Sequence, residues 1–355
     1  MIPRIAKFLA ACALGAATYA CGDPIAPDPD LQLFGAAWLW ASDAEIVYTS
    51  GFAEGERFIR ARNYATGNDR LLVGSLPDAT LERNAIAVAG QHLYFLATGR
   101  ETGVPDLYRV ELSGSAPPQL VTRNVAYDAG SSFVFAASPA GDLVAVRTAE
   151  LLLASVATGQ STTVSAPRGW RPEAMAWSTD GGRLLVAANT LFSVLDVATS
   201  EWSSWDAQST TGGATDILLG TTLRWENGTP VGYAVRATDT GVVASRYDIA
   251  AAQRTDVGMV HPRIDAGMQG GYVWAPDLSR VAWTHSVCVR SVAMDGGSLC
   301  AESRFELRVT TLQSGQDTAV VVEKREQWPT TGTAAFSPTG SRLAWDLFVL
   351  RVYDM

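Results

Sequence analysis

The residue types best suited to metal or nucleophilic chemistry are scarce in this chain: three histidines and four cysteines among 355 residues. A local zinc site is written as closely spaced donors, such as H-x-x-x-H. His92, His261 and His285 show no such spacing to one another, to a cysteine or to a carboxylate. Structural roles are expected for all three. A serine nucleophile on a strand-to-helix elbow would be announced by Gly-x-Ser-x-Gly, and a phosphate or calcium site by a P-loop or an EF-hand loop. None of these patterns occurs. The sequence predicts no metal, no cofactor and no locally encoded catalytic residue.

The cysteines speak instead to compartment. "MIPRIAK" carries Arg4 and Lys7, and the apolar "FLAACALGAATYA" follows from Phe8 to Ala20. A charged start and an apolar stretch of this length have the organisation of a secretory signal peptide. The stretch is too short for a membrane-spanning helix, which needs about 20 residues. Cys21 comes next, and the arrangement resembles a bacterial lipoprotein signal, in which the cysteine after the cleavage point is lipidated. "TYAC" lacks the usual leucine three residues before the cysteine. "LAAC", ending at Cys12, has it but leaves a very short apolar run, so Cys21 is favoured. Residues 1–20 then form the signal, and residues 21–34 the lipidated cysteine with a Pro- and Asp-rich tether, "GDPIAPDPD", whose prolines favour an extended chain. Residues 35–355 form the folded body. The expected location is the cell envelope, at the outer membrane or facing the periplasm, with lipid as the only membrane attachment. Cys288 and Cys300 remain, and in an oxidising compartment they are expected to form a disulfide.

Composition supports an exported globular body. The chain is 47% apolar and 18% charged, with a net charge of −9. Loss of Arg4 and Lys7 with the signal takes the charge to −11. Nucleic-acid affinity comes largely from Lys and Arg neutralising phosphates, so an acidic chain points away from DNA and RNA.

The elements that would position any site are written as a repeat. "FSPTGSRLAW" (Phe336 to Trp345) echoes "WAPDLSRVAW" (Trp274 to Trp283) and "WSTDGGRLLV" (Trp177 to Val186). "ASPAGDLVAV", "WASDAEIVY", "VAGQHLYFL" and "WENGTPVGYAV" are more divergent copies. Each places an aromatic or apolar residue before a tight turn of Pro, Asp, Asn and Gly, then a β-forming run, as a hairpin requires. A second hairpin follows each, as in "LLLASVATGQSTTV" from Leu151. The unit is four antiparallel strands. Taking Ile46, Leu93, Leu143, Leu184, Val231, Val281 and Leu343 as anchors of the second strand, the period is 41 to 50 residues, with one gap of 62. Four-stranded units at this period predict a β-propeller, here all-β with seven blades. The last unit shows three strands, closed by a strand near Leu31 to Gly35 or left incomplete. The long gap holds "SVCVRSVAMDGGSLCAES" (Ser286 to Ser303), read as a cysteine-clamped excursion between the second and third strands of blade six.

The turn-and-strand pattern resembles the "SPDG" repeat of TolB-like, WD-repeat-like propellers over residues 35–355, which implies the fold and leaves function open. "STDGG" (Ser178 to Gly182) is similar to the Asp-box of sialidase propellers but lies in the first hairpin, where it reads as turn chemistry. Arg183, Arg280 and Arg342 share one repeat position and read as solvated hairpin charges, or as a basic ring on one face. Trp177, Trp274, Trp283 and Trp345 are expected to pack between blades. Strand alternation sends second-to-third loops and blade crossovers to one face, where long loops on a rigid frame favour binding. The candidate partner residues there are His261, Arg263, Asp265, Arg290 and Asp295. The expected function is a monomeric, non-enzymatic propeller scaffold that binds a protein or envelope component. The competing expectation is a propeller-type glycan hydrolase or lyase, with carboxylates from several blades gathered at the central channel.

Overall fold

The repeated turn builds each unit in the same way. In "SPAGD", "STDGG" and "SPTGS" the serine is buried, and its hydroxyl accepts a hydrogen bond from the backbone five residues on: Leu143 N to Ser138 Oγ at 3.1 Å, Arg183 N to Ser178 Oγ at 2.8 Å and Arg342 N to Ser337 Oγ at 3.1 Å. The glycine of each turn, Gly141, Gly181 and Gly340, has positive φ, which only glycine adopts without strain. Blade five uses a tighter two-residue turn, Asn227-Gly228, with both φ values positive, the geometry that matches strand twist.

The computed structural model describes residues 37–50, 57–127, 133–167, 170–207, 218–264, 268–294, 297–325, 333–346 and 350–355. Blade one comprises β1 (Trp38–Trp40), β2 (Glu45–Ser50), β3 (Phe58–Asn63) and β4 (Asp69–Val73). Blade two comprises β5 (Ala79–Ala89), β6 (His92–Gly99), β7 (Pro105–Glu111) and β8 (Gln119–Thr122). Blade three comprises β9 (Phe135–Ala137), β10 (Leu143–Arg147), β11 (Leu151–Ser155) and β12 (Ser161–Val164), and blade four β13 (Ala174–Trp177), β14 (Arg183–Ala188), β15 (Leu191–Asp196) and β16 (Glu201–Asp206). Blade five comprises β17 (Leu218–Glu226), β18 (Thr229–Thr238), β19 (Gly241–Asp248) and β20 (Gln253–Pro262). Blade six comprises β21 (Met268–Trp274), β22 (Arg280–Met294), β23 (Gly297–Thr311) and β24 (Gln316–Arg325), and blade seven β25 (Thr333–Phe336), β26 (Arg342–Asp346) and β27 (Leu350–Asp354). Every sheet is antiparallel in sequence order. The first strands touch in a closed circuit, β1 to β5 and onward through β25 and back to β1. The protein is a seven-bladed β-propeller. Among the described residues blade seven has three strands; the proposed closing segment near Leu31 to Gly35 lies outside them, as do the signal, Cys21 and the tether.

The core lies between blades. Ile46, Leu93, Leu184, Val231, Val281 and Leu343 are all 0% exposed. Leu143 is half-buried, and its neighbour Val144 takes the core position opposite Ala137. Leu143 stands where Arg183, Arg280 and Arg342 stand in their blades, so the expected anchor of blade three was one residue early.

Two side-chain types tie blade to blade. The indole N–H of Trp177 donates to Ala136 O (3.0 Å), that of Trp225 to Ala176 O (3.0 Å) and that of Trp274 to Gly220 O (2.9 Å), each in the preceding blade. Gly220 has φ +56° and lies so close to Tyr272 that a Cβ would stand 2.2 Å from the Tyr272 carbonyl oxygen; no other residue fits. The repeat arginines reach the opposite way. Arg183 donates to Gly228 O (3.2 Å) and Arg280 to Gly340 O (2.9 Å), in the first turn of the next blade. Arg183 also lies over the Trp225 ring and Arg280 over the Phe336 ring, at 4.6 and 5.5 Å. These arginines form neither a basic ring nor solvated charges; they are clamps.

The same parts close the ring. Trp40 donates to Ala335 O at 2.9 Å, Arg342 to Asp43 O at 2.9 Å, and Thr339 N to Asp43 Oδ1 at 2.9 Å. Beneath them Trp40, Ile46 and Tyr48 of blade one pack with Ala344, Leu350 and Val352 of blade seven. Trp40→Phe keeps an aromatic ring but leaves Ala335 O without its donor, which costs about 1–2 kcal/mol. The expected result is a lower urea midpoint, with faster amide exchange first in blades one and seven; uniform exchange across all blades would contradict a closure role.

Candidate interaction face

Second-to-third loops and crossovers share one face, the crossover face, and β1 begins there. Among the described residues blade six alone extends beyond it. β21 pairs with β22 no further than Met268 opposite Ser286, and β24 pairs with β23 no further than Ser303 opposite Arg325. Among the described residues, the two strands pair only with each other from Val287 to Met294 and from Gly297 to Glu302. Eight residues at 3.3 Å each make an arm roughly 25 Å long. The excursion expected as a loop is thus a continuation of the blade's two middle strands.

Cys288 and Cys300 form the expected disulfide across the arm, with Cα atoms 5.7 Å apart. The register shifts between Cys288 and Arg290 and again between Arg290 and Ser291; such bulges bend and twist a ribbon. Val289 and Val292 are exposed at 44% and 45%. Arg290 is exposed and lies 3.5 Å from Glu302. Of the expected partner residues, Arg290 stands on the arm and Arg263 is exposed on the neighbouring crossover from blade five to blade six. Asp265 and Asp295 lie outside the described residues.

His261 is not at the surface. It is 2% exposed, because β20 runs as far as Pro262 and carries the ring into the seam between blades five and six. Its Nδ1–H donates to Pro262 O at 2.8 Å, and its Nε2 accepts from the Tyr272 hydroxyl at 3.0 Å. The ring stacks on Trp283, with centroids 4.1 Å apart. Burial holds its pKa below the usual histidine value, only partly opposed by the Pro262 bond, so His261 is a neutral structural ring. Trp283 in turn donates to Thr310 Oγ1 at 3.1 Å, and Thr310 donates to Val260 O at 2.7 Å.

Sequence reading missed the ionic cluster at the root of the arm. Glu306, 7% exposed, is held by Arg304 at 2.9 Å and Arg308 at 2.7 Å, with His285 Nδ1 at 4.0 Å. Arg308 also pairs with Asp317 at 2.7 Å and lies over Trp283. The signal was available: in "FELRVTT", Glu306 and Arg308 alternate with Phe305, Leu307 and Val309, so one face of a central strand carries charge.

Three of the seven innermost strands are written in small or apolar residues: "FAA" in β9, "AMAW" in β13 and, after Thr333, "AAF" in β25. Glu82 in β5, Glu173 just before β13 and Asp346 at the end of β26 are carboxylates at the crossover ends of separate blades. Glu82 accepts from Thr98 Oγ1. Burial raises the pKa of Glu173, opposed by Arg147. Burial pushes Asp346 up to about 6, opposed by a hydrogen bond from Trp38. Among the described residues no three His, Cys, Asp or Glu side chains are grouped so as to hold a metal ion.

No protein-family model matches the chain, and no curated protein matches it in sequence. Solved structures match its fold. An oligogalacturonate lyase from Vibrio parahaemolyticus is similar with a TM-score of 0.59 at 10% identity, over 93% of this chain and 92% of that one. The β-propeller domain of Myceliophteria thermophila Cps50 (Swd1) is similar with 0.57 at 11% identity, over 90% and 96%. A chain of the mitotic checkpoint complex is similar with 0.54 at 14% identity, over 95% and 94%. At these identities the likeness is one of fold, a β-propeller. TolB from Acinetobacter baumannii is matched more loosely, with a TM-score of 0.41 at 13% identity over 86% of this chain and 78% of that one.

Replacing both Cys288 and Cys300 by serine releases a short closed loop, worth roughly 3 kcal/mol by the chain-entropy account. Because the arm lies outside the wheel, the expected outcome is faster amide exchange and proteolysis within residues 287–302 with the melting of the body nearly unchanged. Asp346 binds its proton more tightly folded than unfolded, from 3.8 to about 6, so its contribution is most favourable at low pH and is lost as pH rises from about 4 through about 6. Asp346→Asn is expected to match the parent below pH 4 and to exceed it by about 1–2 kcal/mol at pH 8, measured by urea unfolding at both pH values.

Proposed function

We propose that this protein is a propeller scaffold held at a membrane by lipid on Cys21 and that it binds an envelope component through its crossover face. The observation that carries the binding reading is the disulfide-clamped arm, which lifts exposed valines off an otherwise closed wheel on the face where β1 begins. Long structures on a rigid frame are where binding sits. The anchor rests on the signal-like residues 1–20, Cys21 and the proline-rich tether. The small residues of β9, β13 and β25 favour binding over glycan chemistry, which needs two carboxylates placed across a scissile bond.

The test has two halves. Fractionation of cells expressing the full chain should recover it with membranes and labelled with fatty acid, and Cys21→Ala should shift it to the soluble fraction without label. Cross-linking in the native envelope should join the full chain to a membrane component through crossover-face residues such as Arg263. Recovery of no such adduct, together with turnover of an oligosaccharide panel by the purified protein, would replace this reading with the glycan-enzyme one.

A further inference from the structure

We propose that the groove between blades two and three binds a sugar acid, a ligand with one carboxylate beside free hydroxyls. The groove lies on the rim of the wheel, and the proposal does not depend on the reading given for the crossover face.

The groove has a volume of about 550 Å³, within the range of small-ligand sites, about 300–1,000 Å³. Its walls are β8, the outer strand of blade two, and the turn between β11 and β12 of blade three. The fold fixes both walls. On β8 the register passes from Leu120 opposite Tyr108 to Thr122 opposite Leu107, so Val121 is an extra residue. Such a bulge re-aims the side chains beside it. Facing it, Gly159 has φ +71°, and a Cβ there would stand 3.3 Å from the Val121 carbonyl oxygen. Glycine allows both this backbone and this approach. The turn is held by Gly159 N–H to Ser155 O at 2.9 Å and by Thr158 N–H to Ser155 Oγ at 3.3 Å.

The polar groups of the groove select the ligand. Thr122 is 4% exposed, and its hydroxyl has no partner among the described residues. A hydroxyl withdrawn from water needs a partner, and Thr122 lines the groove. Arg123, beside it, is exposed and has no ion pair or hydrogen bond to a described residue. Asp106, on the neighbouring strand, accepts from Asn124 N–H at 2.9 Å and does not pair with Arg123. A guanidinium presents donors in a fork that fits a carboxylate. Thr158 Oγ1 accepts from Gln160 N–H at 3.3 Å, which leaves its own proton to donate, and Ser161 also lines the groove. The Val121 carbonyl, by contrast, can only accept. An anion made of acceptors alone, such as phosphate, would meet that carbonyl unfavourably. A ligand with a carboxylate for Arg123 and hydroxyls that both donate and accept matches the whole set.

Ligand-observed NMR titration of the full chain in mild detergent tests the site with glucuronate, glucose, inorganic phosphate and a glucuronate-terminated oligosaccharide. Glucuronate is expected to bind about tenfold more tightly than glucose, because a hydrogen-bonded charge is the difference. Arg123→Gln should abolish that preference with unchanged thermal melting. Thr122→Val, of similar shape, should weaken glucuronate and glucose alike by roughly threefold or more. No transfer to glucuronate, or binding that neither substitution alters, overturns the proposal. Phosphate that binds as tightly as glucuronate also overturns it, leaving an adventitious ion only. A capped glutamate dipeptide that competes as well as glucuronate does the same, because the hydroxyls would then select nothing. Tighter binding of the oligosaccharide than of glucuronate supports the site as one for the end of an acidic glycan; equal binding supports it as one for the free acid.

Discussion

A propeller depends on the seam where its last blade meets its first. Every other neighbouring pair of blades is joined by a covalent crossover; among the described residues blades one and seven meet through side chains and packing. Each blade is a small sheet that buries both faces on its neighbours, and a sheet of three or four strands needs such cover to be stable. Opening the seam would uncover two faces at once. The structure repeats its interblade devices there and adds one: the Trp40 indole, the Arg342 guanidinium and the Asp43 carboxylate all act across it, above a shared apolar cluster. The Thr339 N–H bond, the largest influence on Asp43, holds its carboxyl below the usual aspartate range, so the ionised form that accepts this bond is the one present near neutrality.

The parts of this device could be read from the chain, but their purpose could not. A tryptophan before the turn and an arginine after it recur visibly, because the repeat fixes their spacing. Their acceptors are carbonyls in adjacent blades, 41 to 54 residues earlier for Trp177, Trp225 and Trp274, and 295 residues away for Trp40. A backbone carbonyl carries no residue-type signal, so the pairing was invisible until the blades were placed in a circle. Blade count, strand order and the three strands described in the last blade were readable because they depend only on periodicity and turn chemistry. Leu143 misled because leucine stands at a position that is arginine in three other blades, and one residue of slip exchanges core and surface.

The candidate face was harder, for a related reason. The sequence reading put His261 and Arg263 together on the loop face as candidate partner residues. In fact β20 absorbs two register shifts and continues to Pro262, and that extra length decides which of the two faces solvent. His261 turns inward to Trp283, while Arg263 stays outside. The cysteine excursion was misjudged the other way. Its turn residues were recognised, but the ribbon on either side of them was not, because serine, cysteine and arginine interrupt the valines that would mark a strand.

An isolated two-stranded ribbon is marginal in water, yet among the described residues the arm has no flanking strand. Two features replace them. The disulfide bridges the arm itself, reducing the disorder that fraying would gain. At its root, Glu306 joins Arg304 and Arg308, beside His285 and over the seam with blade five. Burying such charges is costly unless each is matched, and a purely apolar root would pack there at lower cost. Apolar contacts, however, are non-directional and tolerate a change of tilt, whereas charge-assisted hydrogen bonds hold only within a narrow range of geometry. Through Trp283, Thr310 and the Val260 carbonyl the root is also coupled to blade five. Ionic ties at the base and a covalent tie along the ribbon thus fix the arm's direction to the wheel, so the wheel's closure at blades one and seven also governs where the arm points.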